Sequence, residues 1–295
     1  MVADNQERDR KGLTFSQADG LEPIPEPLKL GELSQEARNL IWREFLESIG
    51  EAAVRSEFAS AKLDSRWDKI LYDWHVEVLH KPADEFSSDL SGARRIVKAD
   101  IYGAKWNKVF DFLEFVMRRP TCPHRFSNRI NWCLRKSRAA YLVVPDPPTI
   151  MPRATEQEGD AIVEALTTLD SAGLGGARAH LLQAGERLNA GDYADAVRES
   201  VHAVESVARK LDPKASDNLA PALKALQQHT AVHPALKEGF SRIYGYTSDE
   251  GGIRHALLED EAQVDLEDAV FMIGACASFT SYLVGKARKA GLIAK

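Results

Sequence analysis

Cysteine is scarce in this chain. Cys122, Cys133 and Cys276 are the three among 295 residues, widely spaced and odd in number, so neither a disulfide framework nor a zinc spacing can be assembled from them. Cys122-Pro-His124 is a lone fragment and reads as structural. Long apolar runs are missing too. The longest, residues 269–284, is interrupted by Gly, Ser, Thr and Tyr and falls short of the roughly 20 residues that span a bilayer. Positive charge is outnumbered: 38 Lys and Arg against 44 Asp and Glu leave a net charge of −6. A chain-wide polycation is excluded, and any anion site must be a local patch. The opening MVADNQERDRKG is polar, with no apolar export segment. The expectation is a cytoplasmic protein without membrane attachment, with residues 1–12 as a disordered tail.

What remains is an ordinary globular composition, 44% apolar and 28% charged, long enough for about two domains. Strand signals are few and helical periodicity dominates. Ser34 is a good N-cap for a helix over about 35–49, with Ile41, Phe45 and Ile49 four apart. A second helix covers about 65–79 through Trp67, Leu71, Trp74 and Val78, and Pro82 ends it. A third region, 91–117, carries Trp106, Val109, Phe110, Leu113 and Val116 or Met117 on one face. Aromatic stripes at this spacing belong to a core rather than a cofactor box. YLVVP and TIMP, joined by a proline-rich turn, form a short β-hairpin over 141–152. Thr155 and Glu158 then make a capping box for a helix to about 169. The glycine-rich stretch 171–176 reads as a linker, with the join between Pro152 and Gly176; the first domain is 13–153 and the second 154–295.

The second half reads as an all-helical bundle. One helix runs over about 177–189 and is closed by Gly191. The next starts at Asp192, with Asp195 as its capping partner and Val197, Val201, Val204, Ala208 and Leu211 as its buried seam. Arg198, His202, Glu205 and Arg209 form a second stripe, rotated roughly 110° from that seam. Leu219, Leu223 and Leu226 mark a further helix, and Leu236, Phe240 and Ile243 another from Pro234. Asp265 caps a last helix, apolar almost all round, whose Gly274, Ala275, Ala277 and Ser278 permit close packing within the fold or across a dimer. The fold class is mainly all-α: two helical domains with one hairpin.

Two segments carry chemistry. Residues 118–138 hold Arg118, Arg119, Arg125, Arg129, Arg135, Lys136 and Arg138 with no acidic residue, interleaved with Asn128, Asn131 and Trp132. They make either a phosphate or acidic-partner surface or a solvated helix face paired with carboxylates from the first helices. Residues 241–260, SRIYGYTSDEGGIRHALLED, bring Tyr244, Tyr246, Ser248 and Asp249 to a glycine pair, Gly251 and Gly252, followed by Arg254 and His255. Glycine admits close approach to the backbone, and a permanent cation beside a titratable imidazole can grip and cleave a phosphodiester. The plainer alternative is a helix cap followed by a surface Arg-His.

The blocks AVRESVHAVESVAR, YGYTSDEGGIRHALL and DLEDAVFMIGACASFTSYLV resemble the C-terminal domain of AbiJ-type abortive-infection proteins, helical bundles of the HEPN superfamily. LTFSQADGLEPIPEPLKL, ARNLIWREFL, INWCLRKSRAAYLVV and TIMPRAT resemble an AbiJ-type N-terminal domain. The resemblance implies anti-phage defence. It also implies a metal-independent RNase, needing no cofactor, that works as a homodimer. RNA and an antitoxin or another defence-system protein are the implied partners. The HEPN signature is an Arg, a polar residue and a catalytic His four to six residues on. Arg254 and His255 match its first two positions, but Glu259, Asp260 and Glu261 stand where the histidine belongs. Either His255 or His202, with Glu205 beside it, serves as base, or the bundle binds RNA, a nucleotide or a protein without cleaving. Arg198, Arg209, Arg125, Arg129, Arg135 and Lys136 would serve binding.

Overall fold

A computed structural model describes residues 14–23, 29–51, 61–211, 223–224, 232–248 and 264–293, with backbone alone at 51 and 245–248. The chain divides into two compact units, Met1–Tyr141 and Leu142–Lys295, and it is mainly helical.

In the first unit a short helix α1 (Phe15–Ala18) carries a Thr14–Gln17 capping box. Helix α2 (Gln35–Glu51) starts where Ser34 Oγ accepts from the Ala37 amide at 3.1 Å. Asp64 caps α3 (Ser65–Asp73), accepting from the Trp67 amide at 2.9 Å, and a π-helical turn (Trp74–Val78) continues it. The expected third region is two helices, α4 (Leu90–Gly103) and α5 (Trp106–Met117). Gly103 ends the first, and Ala104 and Lys105 are extended, with ψ of 156° and 157°. The apolar pattern could not reveal that break, because the stripe on α5 is continuous on its own. Helix α6 (Phe126–Lys136) follows. The aromatic stripes are core. Phe45 meets Trp67, Phe112 and Phe126 at centroid distances of 5.7, 5.3 and 4.8 Å, and Trp74 meets Phe112 at 4.9 Å. These pairs are tilted, edge-on or stacked, as ring quadrupoles favour.

The hairpin β1 (Tyr141–Val144) and β2 (Thr149–Pro152) forms as expected. It packs on the helices after it: Asn189 Nδ2 donates to the Ile150 carbonyl at 2.9 Å and Arg178 to that of Pro145 at 2.6 Å. The division into units therefore falls at the start of the hairpin, between Tyr141 and Leu142, upstream of the interval 152–176. The glycine-rich stretch is no linker between units. It is a tight turn between α7 (Glu156–Ser171) and α8 (Gly175–Asn189). Gly173 takes φ +65°, the Leu174 amide returns to the Leu169 carbonyl at 2.9 Å, and the Leu174 side chain is buried. Glycine serves there as a helix terminator.

Helices α9 (Tyr193–Leu211), α10 (Pro234–Ser248) and α11 (Leu266–Lys289) complete the described bundle. Asp265 caps α11 in a capping box with Asp268. Helix α11 packs on α7, α8 and α9, and its Phe279 stacks on Phe240 of α10 at 3.5 Å. At 24 residues α11 is long and apolar enough to cross a membrane by length and composition, contrary to the sequence expectation, but 56% of its apolar window is buried inside the bundle. Gly274 faces Glu158 of α7, so part of the small-residue face serves packing within the unit. The expected seam of α9 is buried, joined by Ala196, Ser200, Ala203 and Val207. The arc is wide because α8 covers one side and α11 the other. Leu236, expected inside, is exposed on α10.

Candidate functional site

Helices α8 and α9 pack against each other with small residues buried on both, Ala177 and Ala184 on α8 and Ala196, Ser200 and Ala203 on α9. Larger polar side chains on the flank of this contact are thereby brought within reach of one another. His180 Nδ1 lies 2.6 Å from Glu199 Oε2, and His202 Nδ1 lies 3.9 Å from the same oxygen. The two imidazoles meet edge to face at 5.3 Å. All three groups are half-buried, with side-chain exposures of 31%, 22% and 38%. A carboxylate held between two imidazoles fixes their tautomers and leaves a second ring nitrogen on each for proton transfer.

One turn along α9, Glu205 continues the flank. Tyr244 of α10 donates its hydroxyl proton to Glu205 Oε1 at 2.7 Å, and Arg209 lies 4.0 Å from the same carboxylate. Arg198 pairs with Asp195 instead. The expected stripe therefore exists as one surface: His202 points to α8, Glu205 to α10, and the two arginines are half-exposed at its ends. Tyr246 and Ser248 lie in the last turn of α10, where the backbone alone is described. Asp249, Gly251, Gly252, Arg254 and His255 lie outside the described residues.

His180 and Glu199 were missed by sequence reasoning. Glu199 stands three residues before His202, a local signal that was available. His180 is 22 residues away and gave none, because only the α8–α9 turn returns the chain to that place. These three residues could also hold a metal ion, since one ligand atom from each lies within 4.8 Å of the others. The cysteines offer no alternative nucleophile. Burial pushes the Cys122, Cys133 and Cys276 thiols up to about 12, leaving them uncharged at neutral pH.

The basic segment of the first unit divides. Arg129 bridges Glu44 and Glu47 of α2, Arg118 pairs with Glu114 at 2.8 Å, and Arg119 pairs with Glu77 at 2.8 Å over the Phe115 ring. Much of the apparent positive charge is thus neutralised by carboxylates of neighbouring turns and of α2. Arg43, Arg125, Asn128 and Trp132 line an open depression of about 480 Å³ beside the Arg129–Glu44 pair. Trp132 is 46% exposed, and the Arg43 guanidinium sits 5.1 Å from its ring centroid. Arg135 is half-buried and Lys136 exposed on the same helix.

A family model described as AbiJ N-terminal domain 4 matches residues 13–168. The chain belongs to this family of AbiJ-type abortive-infection proteins. The matched stretch runs beyond the first unit, through the hairpin and into α7. No curated protein and no solved structure matches the chain.

Proposed function

We propose that this abortive-infection protein acts against phage as an RNase of the HEPN type, its active centre on the α9 flank of the second unit. The observation that carries the reading is the Tyr244–Glu205 hydrogen bond beside the His180–Glu199–His202 cluster. It ties the helix that leads into the Arg254–His255 segment to the same flank that holds two histidines. In this reading the ribose 2′-oxygen attacks the adjacent phosphorus, and one neutral imidazole takes its proton. The bond to the 5′-oxygen breaks, and that oxygen leaves with a proton from the second imidazole. The products are a 2′,3′-cyclic phosphate and a 5′-hydroxyl. Glu199 orients both rings, and Arg254 stabilises charge on the non-bridging oxygens. His180 takes the place of the histidine missing from the Arg254–His255 motif. The nucleophile is part of the substrate, so the step needs no metal.

A second reading, recognition of RNA or an acidic partner without cleavage, is favoured by the exposed Trp132 beside Arg43 and Arg125. Base stacking on an aromatic ring next to fixed cations is sequence-tolerant binding chemistry. Incubating purified protein with total cellular RNA in EDTA separates the two. The RNase reading requires new cyclic-phosphate ends that Arg254→Ala and His255→Ala abolish. Intact RNA, with the same substitutions only weakening a complex, favours recognition. A homodimer through the second unit remains part of the proposal. Light scattering that gives a monomer mass at micromolar concentration removes it.

A further inference from the structure

We infer that His180, Glu199 and His202 form a binding site for a single divalent transition-metal ion of the zinc or cobalt class. The donors are two imidazoles and one carboxylate, a set that suits zinc, cobalt or nickel and offers too few oxygens for calcium or magnesium. Zinc centres with an open position commonly use this set of two histidines and one glutamate. The backbone arrangement is also that of a chelate. Glu199 and His202 stand at i and i+3 on α9, as Glu-x-x-His pairs do in metal-binding helical bundles, and His180 reaches across from α8.

The distances permit it. Metal–ligand bonds of about 2.0–2.2 Å place the ligand atoms of a tetrahedral site roughly 3.3–3.5 Å apart. Here Glu199 Oε2 stands 2.6 Å from one imidazole nitrogen and 3.9 Å from the other, with all three ligand atoms inside 4.8 Å. The 2.6 Å contact is a hydrogen bond, whose shared proton an ion would replace. The adjustment needed is about an ångström in half-buried side chains, while the buried Ala177, Ala184, Ala196 and Ala203 hold the two backbones in place. Partial exposure leaves room for water in the remaining position. Among the described residues, both ion pairs of Glu199 are to these histidines, at 2.6 and 3.9 Å, whereas Glu205 is engaged by Tyr244 and Arg209.

Binding stands on this geometry alone. Its consequence rests on the RNase reading above: an ion that occupies the imidazole lone pairs withdraws both groups from proton transfer, so zinc inhibits cleavage and EDTA restores it. The test is calorimetric titration of the untagged full chain with zinc chloride, with cobalt absorption as a second readout. The expected result is about one ion per chain at micromolar affinity, with intense visible cobalt bands indicating tetrahedral geometry. His180→Gln, Glu199→Gln and His202→Gln should each weaken binding about tenfold or more while keeping the helical circular-dichroism spectrum. Using three variants guards against one that fails to fold. Binding absent up to 100-fold molar excess, or equal affinity in all three folded variants, overturns the site. Zinc binding by a protein that leaves RNA intact would retain the metal site and discard the RNase; EDTA-resistant cleavage without zinc binding would do the reverse.

Discussion

The two units solve the same packing problem with opposite materials. The first surrounds Phe45 with Trp67, Phe112 and Phe126, large rings whose edge-on contacts fill the space between helices. The second packs α8, α9 and α11 with mainly aliphatic and small side chains: Ala177, Ala184, Ala203, Val207 and Ala277 are buried beside leucines such as Leu181, Leu188 and Leu283. Their polar residues differ in the same sense. In the first unit Arg129 reaches over to neutralise the buried Glu44 and its neighbour Glu47, so a cation-rich sequence becomes a mostly balanced surface. In the second, close backbones leave His180, Glu199 and His202 compressed against each other without a lysine or arginine ion-paired to Glu199 among the described residues. Large side chains absorb charge into structure; small ones push polar groups together on a flank, where their chemistry stays available.

Substitutions can break this contrast. The largest stability loss is expected for Trp67→Ala, which removes a fully buried ring and should cost about 3–5 kcal/mol in chemical denaturation. Ala203→Leu tests the other unit: a larger side chain between α8 and α9 should cost roughly 1–3 kcal/mol by overpacking. If it is neutral, the small-residue contact is looser than described. Arg129→Ala leaves Glu44, 4% exposed, with Arg43 alone; about 2–3 kcal/mol is expected, since a buried carboxylate loses one of its two cations. Arg198→Ala, which breaks a half-exposed pair with Asp195, should change stability by less than about 1 kcal/mol.

The smallest effects sharpen the comparison through pH. In the first unit Asp89 caps α4, accepting from the Gly92 amide at 2.7 Å and from the Ser87 and Ser91 hydroxyls, which hold its carboxyl well below the usual range. Its contribution is present above its unfolded pKa of about 4 and is lost as pH falls below that. In the second unit burial raises the Glu158 carboxyl, against the hydrogen bond from the Ala154 amide. The folded state then binds that proton more tightly than the unfolded chain, so stability declines as pH rises through the raised value. Asp89→Asn should flatten the acid limb of stability against pH, and Glu158→Gln should remove a slope of opposite sign. Equal slopes in the two variants would contradict these environments.

Much of the architecture was legible because local chemistry decided it. Ser34, Asp265 and the Thr155–Glu158 start all cap helices; Trp67, Leu71, Trp74 and the Val197–Leu211 stripe are buried as their periodicity required, whereas Val78, the last residue of the first stripe, is exposed in the π-helical turn. The misreadings have one physical source. Glycines at 173, 175 and 176 suggest a flexible linker by composition, but a positive φ at Gly173 ends α7 and the next two start α8. Residue type states what a backbone can do, and tertiary packing decides what it does. The same limit applied to the site. His202 and Glu205 share a flank of α9, as their spacing on a single helix implies, and Glu199 is within reach of the same logic. His180 was not, because its partners are set by the α8–α9 turn. For the charge run at 118–138 the sequence leaves two readings open, and at Arg129 the ion pairs favour the face paired with α2 carboxylates, which lie 82 and 85 residues away and could not be singled out from the run itself.

In the proposed RNase, His180 serves with His202 as the proton-transfer pair. The most direct test is cleavage of a short synthetic RNA in EDTA by wild-type protein and by His180→Ala, followed under single-turnover conditions. The expected outcome is a cyclic-phosphate product from the wild type and a rate at least about 100-fold lower in the variant, the usual scale for losing a general acid or base, with its circular dichroism unchanged. Wild-type rates in a folded His180→Ala protein would contradict it.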